Sequence, residues 1–191
     1  MGNNFALCLF NPYYGKTEEE GKLALWNEVK LGNVQNVQWL IEIFGDNSGI
    51  INYKPSDNNV DEHIPLHNSQ SAEITYALLG AGATINQKSR NGNTPLILAC
   101  LESNLEVVQT LLAFKGCDVN AVGKNGKTAL LYAVDSPMSD RYEIAKALLA
   151  AGADAKVKDN EGKTALMRAE DATSHLKDEM MAEIIRKYNP E

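Results

Sequence analysis

GNTPLILACLESNLEVVQTLLAFKGCDVN, residues 92–120, spells two short helices and the turns that close them. Thr94 offers a hydroxyl to the free N–H groups of a first helical turn, and Pro95 at the first helical position loses nothing by lacking its own N–H. Leu96, Ala99 and Cys100 recur at three- and four-residue steps, which predicts one buried stripe. Ser103-Asn104 interrupts the pattern, and Val107, Val108, Leu111 and Leu112 resume it as a second helix that Gly116, Asp118 and Asn120 end. Neither helix is long enough to bury an apolar face alone, so the pair requires neighbours.

The neighbours are written in the same letters. Asn91-Gly92-Asn93-Thr94-Pro95-Leu96 recurs after 34 residues as Asn125-Gly126-Lys127-Thr128-Ala129-Leu130, and after a further 36 as Glu161-Gly162-Lys163-Thr164-Ala165-Leu166. Gly82-Ala83-Thr84-Ile85-Asn86, Gly116-Cys117-Asp118-Val119-Asn120 and Gly152-Ala153-Asp154-Ala155-Lys156 recur in step with it. In each case the next Thr follows eight residues after the last letter. This pattern resembles the ankyrin repeat, with its turn glycine, T-P-L-H-x-A opening and G-A-D-V-N closing element. The resemblance implies an all-α, ankyrin-type solenoid of stacked helix pairs with short β-turn or hairpin fingers. It divides the chain into an N-terminal flank, 1–16, and one repeat domain, 17–191, with units at about 17–52, 53–86, 87–120, 121–156 and 157–191.

Composition agrees with an elongated stack. The chain has 191 residues, 44% of them apolar, and a formal charge of -7. That charge argues against nucleic acid as a partner. No apolar run approaches the ~20 residues of a membrane span, and Phe5–Phe10 lacks the flanks of a secretory signal. Met1-Gly2 is not followed by the Ser or Thr at position 6 that lipidation expects. The three cysteines form an odd set at unrelated spacings, which fits a reducing, cytoplasmic setting. The expected state is a monomer without cofactor.

Departures from the repeat mark the remaining stretches. Gly21-Lys22-Leu23-Ala24-Leu25 aligns with the G-x-T-P-L opening, so a degenerate first unit is expected with Leu23 in the capping place and Glu18, Glu19 and Glu20 before it. Gly32-Asn33, Val37, Leu40 and Ile41 fall at the offsets of a second helix. Four residues are added to the finger Tyr53–Glu62, which serves as a solvated loop or a binding element. Ile64-Pro65-Leu66-His67 opens a pair trimmed by three residues. His63 and His67, four apart, raise a metal site, but no Cys or acidic cluster completes it. Asp135–Asp140 is three residues longer than the corresponding turn of the unit before. In the last unit Leu176, Met180, Met181, Ile184, Ile185 and Tyr188 predict a buried helix face, with Lys177, Asp178, Glu179, Glu183, Arg186 and Lys187 opposite it. In the flank, Phe5, Leu7, Leu9 and Phe10 are expected to cover the end of the first unit or to form a partner-binding arm.

No phosphate-binding loop, zinc-protease helix, nucleophile elbow or metal-spaced Cys pair occurs, and His175 has acidic neighbours but no nucleophile, so no catalytic role is expected. The resemblance instead implies partner contacts from residues flanking the turn glycine and from the ends of the first helices. Carried over by position these are Glu19, Glu20, Lys22 and Lys30; Val60, Asp61 and His63; Arg90, Asn91, Asn93, Leu101 and Glu102. The last two units give Lys124, Asn125, Lys127, Asp135 and Ser136, then Asn160, Glu161, Lys163, Asp171 and Ala172, and the long finger adds Tyr53 and Lys54. Arg90, Lys124, Lys127 and Lys163 against Glu102, Asp135 and Asp171 predict two parallel stripes of opposite charge about a repeat spacing apart. The functional expectation is a protein-binding module without enzymatic activity, either a sequestering inhibitor or immunity protein, or an adaptor or scaffold.

Overall fold

A computed structural model describes residues 11–45, 49–55, 62–171 and 178–188. The readings above that fall on Phe5–Phe10, Val60, Asp61, Ala172, His175, Leu176 and Lys177 lie outside those residues. Among the described residues there are nine α-helices, two short 3-10 helices and no strand. They fall into two compact units, 1–84 and 85–191.

In the first unit, α1 (Glu18–Leu31) packs on α2 (Val34–Phe44), followed by the 3-10 helix Pro65–Asn68 and α3 (Ala72–Gly80). The expectation for α1 is corrected here. Its cap is Thr17, whose Oγ1 accepts from Glu20 N while Glu20 Oε2 accepts from Thr17 N at 2.8 Å. Leu23 therefore lies inside the helix and is exposed, and the three glutamates form its first turn, where they suit the positive helix end. Gly21 is buried in α1 and not in a turn, because a Cβ there would meet the Phe44 ring at 2.7 Å. The turn Gly32-Asn33 is as expected, with Gly32 at φ 74° and Val37 and Leu40 fully buried behind it.

Trimming reduces the first helix of the next pair to one 3-10 turn. Ile64 has no hydroxyl to cap it, and the imidazole of His67 instead reaches back to accept from Ile64 N at Nδ1, 3.1 Å. His63 stacks on His67 with ring centroids 5.1 Å apart. The flank is held by Tyr13, which is buried and donates its hydroxyl to Glu28 Oε1 at 2.5 Å. Burial and the Glu28 carboxylate push the Tyr13 phenol up to about 12.

The second unit repeats the pair three times: α4 (Pro95–Leu101) with α5 (Leu105–Ala113), α6 (Ala129–Asp135) with α7 (Arg141–Ala150), and α8 (Ala165–Glu170) with α9 (Glu179–Tyr188). First helices pack on first helices, α4 to α6 to α8, and second helices follow, α5 to α7 to α9, making two layers. Thr94, Thr128 and Thr164 each cap their helix, accepting from Ile97 N, Leu131 N and Met167 N. The core lies between layers and between pairs, with Ile97, Val108, Leu111, Leu130, Leu131, Ile144 and Leu148 at most 1% exposed. In α9 the expected face is partly corrected. Met181, Ile184 and Ile185 are buried, but Met180 is 59% exposed and Tyr188 42%. Asp178, assigned to the outer side, is turned inward to Arg141, its carboxylate oxygen 2.6 Å from Nη2.

Candidate functional site: the finger and helix-end row of the second unit

Each finger in this unit is a tight loop closed by its own backbone. Ser89 N donates to Asn93 O, Gly123 N to Lys127 O, and Asp159 N to Lys163 O, at 2.9, 3.0 and 3.1 Å. Successive fingers are then fastened together. Lys124 N donates to Asn93 Oδ1 at 2.9 Å, and Asn160 N to Asn125 O at 3.0 Å. Packing at these joints leaves no room for a side chain at Gly126, where φ is 74° and a Cβ would stand 2.5 Å from Asn160 Oδ1. The tips are thus presented on a fixed backbone.

The expected contact residues separate into three groups on this frame. Arg90, Asn91, Lys124, Asn125, Asn160 and Glu161 are exposed on the fingers, and Leu101 and Glu102 are exposed at the end of α4. Two others are buried. Asn93 is 6% exposed because its amide holds the next finger, and Ser136, 7% exposed, shares a 2.7 Å hydroxyl hydrogen bond with Ser103.

The third group is the charged one. Lys127 Nζ lies 2.6 Å from Asp135 Oδ2, and Lys163 pairs with Asp171 in the same way one unit on. The Asp171 hydrogen bond raises the Lys163 ammonium above its ordinary range. These bases and acids are ion-paired across a single helix, so the expectation of stripes a repeat apart does not hold for them. Both pairs stand eight residues apart in sequence, a repeated spacing that would have revealed them.

Arg168 was missed altogether. Its guanidinium reaches Asp135 at 3.4 Å, Glu161 at 3.3 Å and Asp159 at 2.6 Å through Nε. Burial pushes the Asp159 carboxyl up, yet the Arg168 hydrogen bond and the N–H groups of Lys163 and Glu161 outweigh it and hold the carboxyl below its usual range. The signal was a base in the place that Leu98 and Tyr132 take in the preceding units.

In the first unit the expected residues are engaged locally. Lys22 bridges to Glu18 at 3.3 Å and Glu19 at 2.6 Å along its own helix, and Lys30 lies over the Trp26 ring. Tyr53 is half-buried, and Lys54 lies 3.7 Å from Glu62, joining the two described ends of the long finger. Among the described residues no group of three or more His, Cys, Asp or Glu side chains is placed to hold a metal, and no helix is long and apolar enough to cross a membrane.

Comparison with known proteins agrees with this geometry. The family described as Ankyrin repeats (3 copies) matches residues 66–159. The chain is similar to ankyrin repeat and SOCS box protein 6 of Pongo abelii, 38% identical over 107 residues, 53% of this chain and 25% of that protein. It is similar also to the probable 26S proteasome regulatory subunit p28 of Saccharomyces cerevisiae, 34% identical over 131 residues, 63% of this chain and 56% of that one. The human transient receptor potential cation channel subfamily A member 1 matches at 33% over 86 residues, 45% of this chain and 8% of the channel. The chain therefore spans a quarter of the first relative and little more than half of the second. With cap, finger and closing turn repeated in register, residues 66–159 are ankyrin repeats, and such repeats indicate a protein–protein interaction module.

Proposed function

We propose that the chain acts without catalysis, by occupying the surface of one protein partner through the fingers and first-helix ends of residues 85–191, in the manner of a sequestering inhibitor. The observation that carries this reading is the contrast within the row. Its backbone is locked finger to finger through Asn93 and Asn125, while Arg90, Lys124, Asn160 and Leu101 stay exposed. A surface ordered before binding loses little entropy on association. The p28 relative, named as a regulatory subunit of a larger assembly, supports a module that works bound to other proteins. A reducing compartment is part of the proposal, since Cys100 and Cys117 are both free thiols.

Affinity capture with the full chain, followed by mass spectrometry and an activity assay of whatever is captured, tests this. One dominant partner, suppressed on binding and lost with Lys124→Glu plus Leu101→Arg, is expected. Two partners held simultaneously and indifferent to those changes would replace the inhibitor reading with the adaptor one.

A further inference from the structure

We infer that the partner segment received by the second unit is an acidic, amphipathic one, laid with its carboxylates toward the fingers and its apolar side chains toward the helix ends. This rests on the protein-binding reading above and adds the chemistry of what is bound. The chain as a whole carries -7, so a basic partner is the naive expectation. The charges left over at the row point the other way.

Ion pairing removes the acids of the row first. Asp135 and Asp171 are taken by Lys127 and Lys163, while Asp159 and Glu161 are taken by Arg168. The finger lysines are not consumed. Lys88, Lys124 and Lys158 are exposed and make no ion pair among the described residues, and Lys88 Nζ is carried across to the next finger by a 3.1 Å hydrogen bond to Val122 O. A carbonyl does not neutralise it, so the finger edge is basic.

The opposite edge is apolar. Leu101 ends α4 with 54% of its surface exposed, and Met138, in the lengthened turn after α6, is 58% exposed. The Ser103–Ser136 hydrogen bond fastens the turns that carry them to one another. Between the two edges runs the ion-paired belt, the length of one seven-residue helix, about 10 Å. Asp140 is exposed beside the apolar edge. It repels carboxylates there and so fixes which way round the segment lies.

Panning a library of random 15-residue peptides against the full chain tests this, with affinities of the enriched peptides then measured by fluorescence anisotropy. Enriched peptides should be net acidic and carry Leu, Phe or Met. Their affinity should fall at least tenfold with Lys88→Glu/Lys124→Glu, at least tenfold with Leu101→Lys, and not at all with Gln109→Lys on the exposed side of α5. It should also weaken steeply as salt is raised. Neutral or basic peptides that still lose affinity with the row variants would overturn the acidic partner while leaving the row as the binding surface. Acidic peptides indifferent to every row variant would overturn both. An empty selection, or a labelled 15-mer of deoxythymidine binding the row more tightly than any peptide, overturns the inference.

Discussion

Asn120 donates from Nδ2 to Gly152 O at 3.2 Å and accepts at Oδ1 from Asp154 N at 2.8 Å, satisfying two backbone groups of the following closing turn with one side chain. Asn86 does the same to Gly116 and Asp118, and in the first unit Asn52 does it to Gly82 and Thr84. An amide offers a donor and an acceptor on two separate atoms of one short arm, so it can clasp two backbone groups at once. Lys156, at the same place in the closing turn of residues 152–156, has no acceptor, so the ladder ends there. Asn120→Ala should cost about 1 to 3 kcal/mol, two ordinary hydrogen bonds, read as a lower urea midpoint at unchanged m. Asp159 gives a second prediction at this scale. Its folded pKa is held below the unfolded value of about 3.9. Its stabilisation is thus complete above the unfolded value and is lost as pH falls through the folded one. Asp159→Asn keeps an acceptor for the Glu161 and Lys163 N–H groups but gives up the charge facing Arg168. A loss of about 1.5 to 3 kcal/mol at pH 7 is expected, together with a shallower fall in stability below pH 4, in urea melts taken across that range.

Among the elements, α1 is where local chemistry and repeat register disagree. Aligning Gly21 with the turn glycine misplaces the helix start, because Gly21 is small for a different reason: Phe44 and Ile50 close on it. The capping box at Thr17 and Glu20 carries the correct start, and it is a purely local signal. Thr17→Ala should cost about 0.5 to 2 kcal/mol and should fray the first turn, seen as faster amide exchange at Glu20 and Gly21. Leu23→Thr, which restores the letter that the repeat expects, should do nothing of the kind, since Leu23 is exposed in mid-helix. The same contrast explains how much of the molecule was legible. Thr94, Thr128 and Thr164 were readable because a cap acts within three residues of itself. That the pair opening at Ile64 is three residues short followed from counting; that the loss falls on its first helix, leaving one 3-10 turn, did not. The pairing of Lys127 with Asp135 and of Lys163 with Asp171 was not legible, because an ion pair across a helix belongs to the packed unit and leaves only a spacing behind. Arg168 left less still, as one base in an apolar column.

At the scale of the whole molecule, stability is distributed between neighbouring pairs, and the α8–α9 pair packs on α6 and α7. It is fastened there by charge. Arg141 on α7 and Asp178 ahead of α9 each have side chains 10% exposed, with Nη2 and Oδ2 2.6 Å apart. Asp178 also accepts from Met181 N at 3.0 Å and donates its own N–H to Ala169 O at 2.9 Å, so one residue ties α9 to both α7 and α8. Removing a single partner from such a pair leaves the other charge buried without compensation, which costs about 3 to 5 kcal/mol. Arg141→Leu should therefore release α9 before anything else. Amides of residues 179–188 would lose protection in hydrogen exchange while those of α4 and α5 keep theirs. Asp178→Asn in the same chain retains the Met181 hydrogen bond and removes the stranded charge, so the double variant should recover part of the loss, a non-additivity that a double-mutant cycle measures directly. If protection fell equally across all six helices of 85–191, the three pairs would be one cooperative block. The charge clasp would then be setting the stability of the whole second unit and not of its end alone.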